Sequence, residues 1–258
     1  MHWEDDAIVL SARAHGEHAA IVTVLAAEQG RCVGLVAGGQ SRRWHAVLQP
    51  GNRVRAAWRA RLPEHLGHFT LDLALTSAAR WMDYPLILAA ISSACAVTER
   101  ALPERQPLPA VYAGLAALLE TGDPDLFGAA YVQWELGLLA ALGYGLDLSR
   151  CAVTQSHEDL AYVSPRTGRA VTREVGGVYH DKLLHLPGFL AGRPDWSMAE
   201  VWRGLQLTGH FLARQVFAHN APRLTPAAYD CLPASRRRLA ELYQAGVNVL
   251  PTWTAQVA

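Results

Sequence analysis

A two-residue alternation constrains this chain more than any other feature. Along Arg53-Val54-Arg55-Ala56-Ala57-Trp58-Arg59-Ala60-Arg61, the odd positions hold Arg53, Arg55, Ala57, Arg59 and Arg61, and the even positions hold Val54, Ala56, Trp58 and Ala60. A β-strand sends successive side chains to opposite faces. The segment is therefore predicted to be a strand with one cationic and one apolar face, with Trp58 on the core side. Packing accounts for the apolar face. Four arginines in line, with no acid beside them in the sequence, point to a surface that meets something negative; a solvated strand face is the plain alternative.

The charge is unevenly spread. The formal net charge is zero, with 23 Lys+Arg against 23 Asp+Glu, so the total says nothing about partners. Between residues 29 and 63 stand seven arginines (Arg31, Arg42, Arg43, Arg53, Arg55, Arg59, Arg61) and no Asp or Glu. All the acids fall on the remainder, and a basic N-terminal segment on an acidic body predicts a polyanion site. Arg42 and Arg43 are predicted in a loop at 38–44, where they extend the surface of the arginine strand. Trp44 and His45 stand beside them as candidates for base stacking.

Residues 1–80 read as β. Apolar runs at 7–13, 20–26, 32–37, the arginine strand and 69–75 are separated by turn signals at His15-Gly16-Glu17, Gly30, Gly38-Gly39 and Pro50-Gly51-Asn52. Short strands punctuated in this way predict a small barrel. After Ser77 the period becomes helical. Helices are predicted at 85–101 with Pro85 in the first turn, at 110–120, and at 124–142 with Asp123 as N-cap and Gly143 as the stop. Two more are predicted, one from the Ser197-Met198-Ala199-Glu200 capping box to about 218 and one at 226–245, bent near Pro233. Residues 103–109 read as a linker. Residues 147–188 break the helical rhythm and read as an irregular or short-stranded insert. The predicted fold class is α+β: a five-stranded barrel domain at 1–80, then a helical domain at 81–258 carrying the insert at about 147–188.

Several chemistries find no support. The hydrophobic fraction is 51%, ample for a packed core. Cys32, Cys95, Cys151 and Cys231 are scattered, which argues against a disulfide scaffold and for a reducing compartment. The start, Met1-His2-Trp3-Glu4-Asp5-Asp6, is unlike a signal peptide, and the most apolar run, 86–97, is too short to span a bilayer. A soluble, cytoplasmic protein is expected. Cys151 shares the insert with His157, His180 and His185, but Thr154 stands where a Cys-x-x-Cys partner would fall, so metal binding is not expected. The adjacent pairs Asp5-Asp6 and Glu158-Asp159 read as solvated turns rather than shared carboxylate sites. There is no P-loop and no Gly-x-Ser-x-Gly elbow, so an enzyme is not expected. Arg236-Arg237-Arg238 spans most of a helical turn and reads as a solvated helix surface or a second anion contact.

An ordered series of short motifs carries a resemblance. It begins at Glu4-Asp5-Asp6-Ala7-Ile8-Val9-Leu10 and continues through Gly16-Glu17, Ile21-Val22-Thr23-Val24-Leu25 and Glu28-Gln29-Gly30-Arg31. Gly38-Gly39-Gln40-Ser41-Arg42-Arg43 and Leu48-Gln49-Pro50-Gly51-Asn52 follow, ahead of the arginine strand. In the helical part come Leu102-Pro103-Glu104-Arg105, Tyr112, Trp134-Glu135-Leu136 and Leu142-Gly143-Tyr144-Gly145-Leu146-Asp147-Leu148. Tyr162-Val163-Ser164-Pro165-Arg166-Thr167-Gly168 lies in the insert. The chain resembles, over essentially its full length, the bacterial RecO family of recombination mediators.

That resemblance implies an oligonucleotide-binding (OB) barrel, a helical domain and a zinc-finger-like insert, with no enzymatic turnover. It implies a nucleoid-associated protein of DNA repair. Such a protein binds single- and double-stranded DNA, anneals complementary strands, and works with RecR and the C-terminal tail of single-stranded DNA-binding protein to let RecA load. The expected DNA-binding residues are Arg42, Arg43, Arg53, Arg55, Arg59 and Arg61. Many family members carry four zinc-binding cysteines in the insert. Here only Cys151 is retained, with Thr154 at the partner position and no cysteine near 170–173, so neither zinc nor another cofactor is expected. A second reading stays open, in which the protein is an adaptor whose arginine face receives the acidic tail and whose barrel touches no DNA.

Overall fold

The alternation at 53–59 is a barrel strand. In the computed structural model of the chain, which describes residues 1–62, 65–218 and 230–249, β1 (His2–His15), β2 (Ala19–Ala26), β3 (Gly30–Val36), β4 (Arg53–Arg59) and β5 (Gly67–Leu75) form a closed barrel in the order β1-β2-β3-β5-β4. All neighbours are antiparallel except β3 and β5, which run parallel through Gly34↔Gly67 and Leu35↔His68. Val54, Ala56 and Trp58 point inward with Ala7, Val9, Val22, Val24, Phe69 and Leu71 and fill the barrel. Gly67 is required by Trp58: a Cβ there would lie 2.1 Å from the indole. Residues 38–44 are not wholly a loop. A short helix, α1 (Arg42–Val47), starts at Arg42 and lies between β3 and β4.

Residues Ala7 to Leu10 are all buried, because β1 has two partners. Ala7 and Val9 face the barrel interior, whereas Ile8 and Leu10, with Leu25 of β2, face outward into a second core built by the helices. A run buried on both faces loses its alternation and reads as continuously apolar. Over it lies α2 (Pro85–Ala101), with Cys95 Sγ 3.7 Å from Val9 O. Near the end of this helix, Glu99 accepts hydrogen bonds from Ser11 Oγ (2.8 Å), Thr23 Oγ1 (3.0 Å) and Arg13 Nη2 (2.9 Å). The segment read as a linker is docked as well. Arg31 Nε donates to Leu102 O at 2.8 Å, Arg105 N donates to Arg31 O at 2.8 Å, and the Arg105 guanidinium lies 4.9 Å from the Trp58 ring centroid.

The remaining helices are α3 (Pro109–Glu120), α4 (Phe127–Ala141), α5 (Arg173–Gly176), α6 (Met198–Phe211), which runs on through a π turn at Leu212–Phe217, and α7 (Ala234–Val249). Gly143, with φ +87°, follows α4. Ser197 accepts from Glu200 N at 3.4 Å and caps α6. Two expected starts shift. Asp123 does not cap a helix: its Oδ1 accepts from Asp125 N at 2.9 Å in a turn, and α4 begins at Phe127. The last helix begins after Pro233, not across it; its expected start at 226 lies outside the described residues. The insert is short-stranded, the second of the two forms its sequence allows. It holds β6 (Leu160–Val163), β7 (Ala170–Thr172) and β8 (Leu184–His185), in the order β7-β6-β8.

One buried ion pair joins the helices. Arg236 Nε and Nη2 reach Glu135 Oε1 (2.5 Å) and Oε2 (2.9 Å), with the two side chains 1% and 0% exposed. Thr208 Oγ1 donates to Glu135, Arg236 Nη2 donates to Leu205 O at 2.7 Å, and Tyr131 OH bridges Glu135 Oε1 (3.0 Å) and Ser93 Oγ (2.7 Å). Burial, with the Glu135 carboxylate beside it, pushes the Tyr131 hydroxyl well above its ordinary value. The reading of Arg236 as solvated is therefore corrected: of the three consecutive arginines it turns inward, while Arg237 and Arg238 pair at the surface with Asp230 and Glu241. A buried carboxylate left without its cation is costly. Denaturant unfolding should find Arg236→Ala destabilised by about 3–5 kcal/mol, and Arg238→Ala changed by less than about 0.5 kcal/mol.

Candidate nucleic-acid interface

Strand register sets the surroundings of each arginine. On the outer face of β1, β4 and β5, Arg53 lies between Ile8 and Leu75, Arg55 between Asp6 and Asp72, Ala57 between Glu4 and Thr70, and Arg59 between His2 and His68. The expectation of a face without acids fails, because neighbouring strands bring them. Arg55 lies 3.4 Å from Asp6 and faces Asp72 across the other strand pair. Arg53 sits where the barrel meets the helices and pairs with Glu120 at the end of α3. The face is thus graded. It is charge-compensated at Arg53 and Arg55, and it is basic at the His2–Arg59–His68 row. Arg61 follows the strand in an exposed bend.

Arg42 and Arg43 stand elsewhere. Gln40 Nε2 donates to Gly16 O and Ala19 O, both at 2.9 Å, which fixes residues 38–43 beside the β1–β2 hairpin. His2↔Arg59 and His15↔Ala19 are the two ends of β1, so the pair Arg42/Arg43 and the pair Arg59/Arg61 occupy opposite ends of the barrel. All four are exposed, and none has an ion-pair partner among the described residues. Sequence reading missed Arg13, His2 and His68. Their signal lay in register, since each is an outward residue of a strand whose neighbours were unknown.

Two family models match, "Recombination protein O N terminal" over residues 1–73 and "Recombination protein O C terminal" over residues 85–223. The DNA repair protein RecO of Rhodospirillum centenum is 49% identical over 246 residues, covering 95% of each chain. That of Gluconacetobacter diazotrophicus is 47% identical over 88% of this chain and 92% of its own, and that of Caulobacter vibrioides 48% over 88% and 94%. The chain belongs to the RecO family. The RecO family places it in DNA repair and recombination. No helix among the described residues is long and apolar enough to cross a membrane.

The zinc-finger-like insert that the resemblance implies would need four sulfur or nitrogen ligands. Cys151 is fully buried. Its Sγ accepts from Thr172 N at 3.4 Å and lies 3.7 Å from Thr172 Oγ1. Burial raises the thiol, but hydrogen bonds from the Thr154 hydroxyl and amide and from the Thr172 and Val153 amides outweigh it and bring the group down to about 6. Threonines thus supply the contacts where further sulfur ligands would be needed. Among the described residues no group of three His, Cys, Asp or Glu converges to hold a metal. One cysteine sulfur and two hydroxyls do not make the four nitrogen or sulfur ligands of a structural zinc site, so the insert does not fit the metal. Thermal unfolding of the purified protein should be unchanged by excess chelator, and metal analysis should find no stoichiometric zinc. A chelator-dependent fall in Tm would overturn this.

Proposed function

We propose that this RecO-family protein binds single- and double-stranded DNA through its barrel, anneals complementary strands, and helps RecA load onto DNA covered by single-stranded DNA-binding protein, with RecR and the tail of that protein as partners. The observation that carries the reading is the set of exposed arginines Arg42, Arg43, Arg59 and Arg61, without an ion-pair partner among the described residues, on a five-stranded barrel ordered β1-β2-β3-β5-β4. Five-stranded barrels of the OB type bind oligonucleotides with a strand face and the adjoining loops. Arginine suits phosphate, and each phosphate neutralised releases condensed counterions. Contacts to phosphate carry no sequence information. They screen the repulsion between two strands and leave base edges free to pair, which gives annealing a physical route.

Arg53 and Arg55 belong to the same strand but contribute less, since Glu120, Asp6 and Asp72 already offset them. The adaptor reading has an observation of its own. A 320 Å³ pocket between the insert and α6 is lined by Arg173, Arg193 and Arg203 around Tyr162 and Leu186, a basic, apolar-walled recess of the kind an acidic tail needs. Glu200 and Asp195 share its wall and offset part of that charge. DNA binding by the barrel is therefore the reading favoured.

Salt titration of oligonucleotide binding separates these roles. Arg59→Ala with Arg61→Ala, or Arg42→Ala with Arg43→Ala, should weaken binding and reduce the slope of log K against log[salt] by about 0.7–0.9 per lost phosphate contact. Arg53→Ala with Arg55→Ala should move the slope less. An unchanged slope in both of the first two variants would remove the barrel arginines from the DNA site and leave the adaptor reading.

A further inference from the structure

The end of the barrel that carries Arg42 and Arg43 also carries a groove of about 610 Å³, between the β1–β2 hairpin and α1. Its floor is built of small residues: Ala12 and Ala14 of β1, Ala20 of β2, and Gly39. Gly39 is held against Ala20 so closely that a Cβ would fall 2.6 Å from the Ala20 methyl, so the floor cannot accept a larger residue there without moving. One wall is the half-buried ring of Trp44, whose inner side packs on the barrel core. Arg13, between Ala12 and Ala14 on β1 and so directed to the other face of the strand, borders the groove and is held by Glu99 at 2.9 Å. His45 and the carboxamide residues Gln40 and Gln49 complete the rim, and among the described residues that line the groove none is acidic.

We infer that this groove is a nucleobase slot, in which an unstacked base of single-stranded DNA lies against Trp44 while its flanking phosphates meet Arg42 and Arg43. The inference rests on the reading of the barrel as a DNA-binding module and adds to it a contact with the base itself. The volume is that of a small-ligand site. A flat aromatic wall over a floor of alanines and glycine accepts a planar ring of any sequence, since every base has a π-face. Arginine on the rim supplies the charge complement. The occupant is a base rather than an apolar peptide side chain because the wall is planar and Arg42 and Arg43, exposed and without an ion-pair partner among the described residues, stand beside the groove at the start of α1. Stacking leaves the pairing edge of the base accessible, so a strand held here remains competent to anneal.

The test compares oligo(dT) with an abasic phosphodiester of the same length, binding to the full chain at several salt concentrations. Trp44→Ala should weaken oligo(dT) binding about tenfold, the scale of one base–aromatic stack, with the salt slope unchanged. On the abasic strand it should bind as the unsubstituted protein does. Trp44→Phe should restore most of the oligo(dT) affinity and serves as the folding control. Equal affinity of Trp44→Ala and the unsubstituted protein for oligo(dT) would overturn the slot. So would an equal loss on both strands, which would mark Trp44 as a structural plug. An acidic apolar peptide that displaces neither strand but loses affinity on Trp44→Ala would assign the groove to a protein partner instead. If neither strand binds the unsubstituted protein, the DNA-binding reading itself fails. Base-independent binding that survives Trp44→Ala removes only the slot.

Discussion

Burial of both faces of β1 ties the barrel to the helices and decides which barrel surfaces stay open. Ala7 and Val9 fill the barrel while Ile8 and Leu10 enter the helical core beside Leu25. Ile8, Leu10 and Leu25 each contribute about 1.5–3 kcal/mol on burial, so this seam holds without a large polar interface. Glu99 adds direction, gathering hydrogen bonds from Ser11, Thr23 and Arg13 onto one carboxylate of α2. With the β1–β2 flank covered, the His2–Arg59–His68 row and the hairpin end with α1 stay open. Charge follows the same division. Arg53, next to the seam, is paired with Glu120 across it, whereas Arg42, Arg43, Arg59 and Arg61 at the two open ends have no ion-pair partner among the described residues.

The helical body is organised around a polar core. Glu135, Arg236, Thr208, Tyr131 and Ser93 draw one hydrogen-bonded network from α2, α4, α6 and α7. Each donor and acceptor in it has a partner, which is the condition under which a buried charge is tolerated. A network of this kind fixes the register of four helices in a way that apolar contacts, being non-directional, do not. It steadies the body against which the barrel seam is packed.

Local pattern carried much of this organisation. The strand alternation at 53–59, the turns at Gly16, Gly30 and Gly51, the helix opened by Pro85 and the Ser197 cap are properties of neighbouring residues, and each stands where the pattern puts it. The helix starting at Phe127 rather than 124 follows from a competition that spacing does not resolve: Asp123 satisfies a nearer amide in a turn. Arg236 was misread for a similar reason. Within its helix it is one of three arginines, and nothing nearby announces a carboxylate 101 residues away in sequence.

By itself, then, the sequence determined the strands, most of the helices, the inward side of Trp58 and the family to which the chain belongs, because these depend on residues a few positions apart. Tertiary structure alone decided which arginines are paired. Strand pairing set Asp6 and Asp72 beside Arg55 and two histidines beside Arg59. Chain closure around the barrel placed Arg42 and Arg43 at one end and Arg59 and Arg61 at the other, and brought Trp44 beside Ala12, Ala14 and Ala20 in one groove. Electrostatic compensation acts through space over a few ångströms, so it belongs to the register of the sheet and not to the order of the residues.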